Sequence, residues 1–86
     1  SSTMETLYLL NDGSVEAIQF KVKGDGELTG RSIKDLPIRS GVQISAILRG
    51  GKCLIPGGHD VIQREDDVII VTTRHDIVTL SDILER

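Results

Sequence analysis

Eighty-six residues with a formal charge of −3 suit one domain with a modest core, since a chain of this length buries only about 60–65% of its unfolded surface. Ten Lys and Arg lie scattered among thirteen Asp and Glu, with no Trp, one Tyr and one Phe, which argues against a basic nucleic-acid-binding surface and a base-stacking platform. A single cysteine allows no internal disulfide, and nothing resembles a signal peptide or a membrane span, so a soluble cytoplasmic piece with no direct membrane insertion is expected.

Ser1-Ser2-Thr3 reads as a tag or linker remnant, which leaves a single domain over 4–86. From Met4 the text is apolar, with Met4, Leu7, Leu9 and Leu10 around Tyr8, until Asn11-Asp12-Gly13-Ser14 supplies turn chemistry; this predicts a short strand or a docked arm. Residues 15–22, VEAIQFKV, set Ile18, Phe20 and Val22 on one parity and Val15, Ala17 and Gln19 on the other, the pattern of a half-buried strand. KGDGELTG ends that strand. Thr29 is then a candidate N-cap for one or two helical turns carrying Ile33 and Leu36, stopped by Pro37.

Residues 42–49, VQISAILR, alternate most clearly: Val42, Ile44, Ala46 and Leu48 on one face, Gln43, Ser45, Ile47 and Arg49 on the other. Gly50-Gly51 suits a hairpin turn into KCLIP, and Pro56 ends that strand or puts it at an edge. HDVIQ predicts a further short strand, REDD a polar turn, and VIIVTT a β-branched strand covered on both faces. Thr73 and Asp76 stand at capping-box spacing before an apolar stripe of Ile77, Leu80 and Leu84, flanked by Val78 and Ile83, which predicts a C-terminal helix. The expected architecture is α+β: a small, mostly antiparallel sheet with a short helix after the first long strand and a helix at the C-terminal end.

Residues able to carry chemistry are sparse. Cys53 has no second sulfur or base beside it, and His59 and His75 lack zinc-ligand spacing. Glu65, Asp66 and Asp67 read as a solvated turn, and the serines lie outside any nucleophile elbow; no catalytic or metal site is expected, and the chain is not read as an enzyme. GDGELTG lacks the Gly-Lys-Ser/Thr end of a phosphate loop. An anion can nonetheless be received at the turn start Gly30-Arg31. Arg39 and Arg49 flank the alternating strand as fork donors for a phosphate or acidic ligand, unless nearby acids pair with them. Arg39, Arg49 and Arg31 are therefore the ligand-binding candidates.

The stretch from Gly30 to Val71 also carries a family pattern, in Gly30, Ile33, Leu36, Gly41, Ile44, Ala46, Ile47, Arg49-Gly50, Ile55-Pro56 and Asp67. It resembles the RCK C-terminal (TrkA-C) domain. VEAIQFKVK is similar to the family's opening strand, and RHDIVTLSDILE extends the likeness towards the C-terminal lobe of potassium-uptake regulators. The resemblance implies a small regulatory lobe that pairs as a homodimer. It works at the cytoplasmic face of a membrane potassium channel or transporter subunit and couples ligand or partner state to transport. It further implies that NAD(H) or ATP/ADP binds a preceding N-terminal lobe, and that no cofactor belongs to this segment. Some relatives bind cyclic di-AMP between two such lobes through an arginine and a later asparagine; this sequence offers Arg39 but departs from that pattern in a shorter SGVQ link with Gln43 in place of the asparagine. Asp66 precedes Asp67 where the family prefers Gly-Asp, a departure that bears on turn geometry. The domain also occurs in anion transporters and cation–proton antiporters, so a nucleotide, cyclic-dinucleotide or anion sensor on another transporter is the alternative.

Overall fold

Local turn chemistry and β-branched runs set the strands of the computed structural model, which describes residues 2–86. The first strand, β1 (Ser2–Leu10), turns into β2 (Val15–Val22) through Asn11, Asp12 and Gly13, at φ 50°, 56° and 88°. These three residue types accept left-handed backbone most readily, and the Gly13 N–H closes the turn on the Leu10 carbonyl at 3.0 Å. Of the expected tag or linker remnant, Ser1 lies outside the described residues, whereas Ser2 and Thr3 belong to β1 and the Ser2 hydroxyl accepts the Leu80 N–H.

After a long connection come β3 (Val42–Arg49), β4 (Lys52–Leu54) and β5 (Asp67–Thr72). Gly50 and Gly51, at φ 57° and 76°, make the tight β3–β4 turn. All pairs are antiparallel in the order β1-β2-β5-β3-β4, so the β-branched run of β5 takes the central place that its composition favours.

The core lies on one face of this sheet. Ile18, Phe20 and Val22 are buried on β2, as their alternation predicts. On β5 Val68 and Ile70 are buried, but Ile69 and Val71, expected to be covered as well, stay partly exposed because the covering layer lies on one face only. On β3 the alternation is interrupted: Ile44 pairs with Ile70 and Ala46 with Ile69, leaving Ser45 as an extra residue. The bulge exchanges the parity beyond it. Ile47, expected on the polar face, is fully buried beside Val68, and Ala46 and Leu48, expected with the core, turn to the opposite face.

The layer covering the core consists of connecting segments rather than helices. Leu28, Leu36, Ile62, Ile77, Leu80 and Ile83 pack down from them. The helix expected after β2 is a three-residue 3-10 turn, Ile33–Asp35, and Thr29 does not cap it, since its hydroxyl accepts the Gly26 N–H instead. The C-terminal helix is likewise replaced by a 3-10 turn, Leu80–Ile83. Ile77, Val78 and Thr79 are β-branched and disfavour helix. The segment is also held extended by backbone bonds from Arg39 N–H to the Ile83 carbonyl and from Glu85 N–H to the Pro37 carbonyl, both 2.8 Å. The N-terminal stop of that turn is Asp82, whose Oδ2 accepts the Val78 and Thr79 N–H groups, in place of the expected Thr73–Asp76 pair. HDVIQ forms only isolated bridges, Val61 to Ser32 and Ile62 to Thr29.

Candidate functional site

The three candidate arginines share no partner. Arg49 ends β3 beyond the bulge, and its guanidinium meets Asp66: Nε to Oδ1 at 2.8 Å and Nη2 to Oδ2 at 2.8 Å, with a further bond from Nη2 to the Val61 carbonyl at 2.9 Å. Asp66 is only 1% exposed, and its Oδ2 also accepts the Gln63 N–H. These bonds raise the Arg49 pKa and keep it charged. The REDD segment is therefore no solvated turn at Asp66. Its left-handed residue is Glu65, at φ 68°.

Arg31, exposed before the first 3-10 turn, donates to the Asp35 carbonyl at 2.7 Å. Arg39 donates from Nη1 to the Asp82 carbonyl and from Nη2 to Asp76 Oδ2, each at 2.9 Å. Arg74 approaches the same carboxylate from Nε and Nη2, at 3.0 and 3.1 Å. Hydrogen bonds from Arg74 and Arg39 hold the Asp76 carboxyl far below the usual carboxylate range.

Asp76, Arg74 and His75 line an open recess of about 620 Å³ with Ser40, Gly41 and Thr73. Gly41 is required there: its φ is +80°, and a Cβ at this position would lie 2.8 Å from Thr73 Oγ1. The Gly41 carbonyl accepts the Thr72 hydroxyl at 2.7 Å and the Thr73 N–H at 3.0 Å, which fixes the recess wall to the end of β5. The chemistry available is anion binding by Arg74, which shares the Asp76 carboxylate with Arg39, itself not among the residues lining the recess. Gln43, the other residue expected to meet a cyclic dinucleotide, is exposed on β3; it is not among the residues lining this recess.

Sequence reading missed Arg74 and Asp76 as partners of Arg39 because Asp76 is 37 positions away from it; an arginine and an acid two positions apart, Arg74 and Asp76, were the available signal. It also missed a recess of about 450 Å³ between residues 24–29 and 79–81, lined by Leu28, Leu80, Thr29, Ser81 and the lone acid Glu27. That lining offers no cation to a phosphate. On the sheet's second face, Glu5 accepts a bond from Gln19 and its carboxyl is pushed up by the neighbouring Asp67 carboxyl. Burial pushes Asp67 up, but bonds from Glu5 and Lys21 outweigh it and the group is lowered. Cys53 and His59 are exposed. Among the described residues, no helix is long and apolar enough to cross a membrane, and no group of three or more His, Cys, Asp or Glu is placed to hold a metal ion.

Comparison with known proteins adds relatives of consistent description. The chain is 38% identical over 56 residues to a Trk system potassium uptake protein TrkA homolog of Archaeoglobus fulgidus, covering 65% of this chain and 13% of that protein. It is 30% identical over 71 residues to the Trk system potassium uptake protein TrkA of Azorhizobium caulinodans, covering 83% and 16%. With a TrkA homolog of Pyrococcus abyssi it shares 33% identity over 79 residues, 91% of this chain and 35% of that one. The chain thus spans only a minor part of each relative's length. The family description "TrkA-C domain" matches residues 17–85, from the middle of β2 through the whole covering layer, and the chain belongs to the TrkA-C domain family.

Proposed function

We propose that this chain is a regulatory lobe of a potassium-uptake system, that it acts as a homodimer on the cytoplasmic side of the membrane, and that it passes ligand or partner state to a membrane transport subunit. The names of the relatives support the potassium-uptake part. The observation that carries dimerisation is the second face of the sheet. Ala17, Ala46, Leu48, Ile69 and Val71 stand there half-exposed, covered by no element, although β5 reads as a strand apolar on both faces. Two lobes packed across this face have more than one way to seat a flat apolar surface, and a ligand or partner biases one seating only through unequal affinity for the two.

Ile69→Glu places a charge at the centre of that face while leaving the core untouched. It is expected to halve the mass of the assembly in sedimentation equilibrium and to weaken that association roughly 100-fold. In the full-length parent the same substitution is expected to reduce growth under potassium limitation. An unchanged mass sinks the dimer reading, and a halved mass with normal growth separates dimerisation from regulation.

The recess lined by Arg74 and Asp76, with Arg39 bonded to the same Asp76 carboxylate from outside that lining, supports a ligand-sensing part of the same role. A phosphate enters by displacing Asp76 from the two guanidinium groups, so Asp76→Asn is expected to tighten binding of an anionic ligand. Thermal shift of Asp76→Asn and of the unmodified chain with cyclic di-AMP, ATP, ADP and NAD tests this. No shift in either protein removes the sensor.

A further inference from the structure

We infer that the free edge of β1, Thr6–Leu10, is a second self-association site, at which the same strand of another copy adds antiparallel and extends the sheet. The two edges of the sheet differ sharply. β4 is three residues long, carries Lys52, and is followed closely by Pro56, the usual protections of an edge. β1 is nine residues long and its single interruption, the bulge at Glu5, guards only its N-terminal half. From Thr6 to Leu10 the pairing with β2 is regular, and the stretch holds no charge, Pro or Gly.

Both sides of this half-strand are apolar and open. Leu7 and Leu9, on the core parity, are 47% and 62% exposed, and Tyr8 and Leu10, on the opposite parity, 66% and 48%. Apolar side chains on both faces are the text of an interior strand, yet the strand stands at an edge with unpaired N–H and C=O groups along it.

A second copy fits the strand by its own symmetry. A two-fold axis at Tyr8 sets Leu7 opposite Leu9 of the partner subunit, Thr6 opposite Leu10 of the partner subunit, and Glu5 opposite Asn11 of the partner subunit. Apolar meets apolar, no like charges face each other, and the contact is isologous. With Met4, the exposed side chains of β1 bring the buried area to the order of 1,000 Å², where specific interfaces begin. Edge addition leaves Ile69 and Val71 uncovered, so it is compatible with the face-to-face dimer and together they give a four-copy assembly.

Sedimentation equilibrium of the chain, Leu9→Lys, Ile69→Glu and the double variant separates the two surfaces, with circular dichroism confirming the fold of each. The expected masses are four copies, two, two and one, with edge association weakened at least 100-fold by Leu9→Lys. A dimer that Leu9→Lys dissociates and Ile69→Glu does not upholds the edge and removes the face. A dimer that Ile69→Glu alone converts to monomer overturns the edge, as does a chain monomeric at millimolar concentration. Two further readouts need no variant. Amide exchange within Thr6–Leu10 is expected to slow at least tenfold as concentration rises. Emission of Tyr8, the only tyrosine, is expected to change over the same range. Exchange and emission independent of concentration up to the millimolar range overturn the proposal.

Discussion

Arg49→Met is expected to lower the stability of the domain by about 3–5 kcal/mol, against a total of about 4–13 kcal/mol for a chain of this length. At this size the fall in Tm exceeds about 12 °C. Methionine retains the apolar stem that Arg49 packs between β3 and the 61–66 segment, so the loss comes from the charge. Asp66, at 1% exposure, is left with the Gln63 N–H as its one remaining donor. Asp66→Asn is milder, about 1–3 kcal/mol. Its amide oxygen still accepts from Gln63, and the Arg49 side chain, 34% exposed, turns to water. Arg49→Met combined with Asp66→Leu is expected to regain a large part of the single-variant loss, because a buried pair is worth less against apolar substitutes than its breakage suggests. Urea unfolding at pH 7 measures all three. If Arg49→Met stays within about 1 kcal/mol of the unmodified chain, the pair is solvated, and Arg49 returns as a fork donor able to hold a ligand.

What was legible in the sequence is what depends on neighbours in the chain. Ile18, Phe20 and Val22 announce their common face, Asn11-Asp12-Gly13 and Gly50-Gly51 announce turns by their tolerance of positive φ, and the β-branched run at 68–71 announces an interior strand. What depends on distant partners was not legible. The spacing of Ile77, Leu80 and Leu84 satisfies a helical stripe and an extended segment pinned at intervals equally well, and the bonds that select the second come from Pro37 and Arg39. Asp66 looks like any turn acid until Arg49, 17 positions earlier, is brought beside it. The bulge at Ser45 has no local signature at all. The alternation from Val42 to Ala46 concealed it, and with it the side of the sheet on which Arg49 lies.

That bulge yields the most discriminating core substitution. Ile47→Ala is expected to cost about 2–5 kcal/mol, because Ile47 is fully buried between Val68 and Leu54 and its truncation leaves a cavity. Leu48→Ala is expected to cost about 1 kcal/mol or less in folding, since Leu48 is half-exposed on the opposite face; its effect appears instead as weaker association. Uninterrupted alternation demands the reverse order, with Leu48 the core residue and Ile47 the surface one. Deleting Ser45 supplies the complementary arm. Ile44 then precedes Ala46 directly, every pair with β5 is kept, and both faces retain their side chains, so the shortened chain is expected to fold and to keep the Arg49–Asp66 pair. Loss of folding on that deletion, or a larger cost at Leu48 than at Ile47, removes the bulge and with it the route by which Arg49 reaches the core side of the sheet.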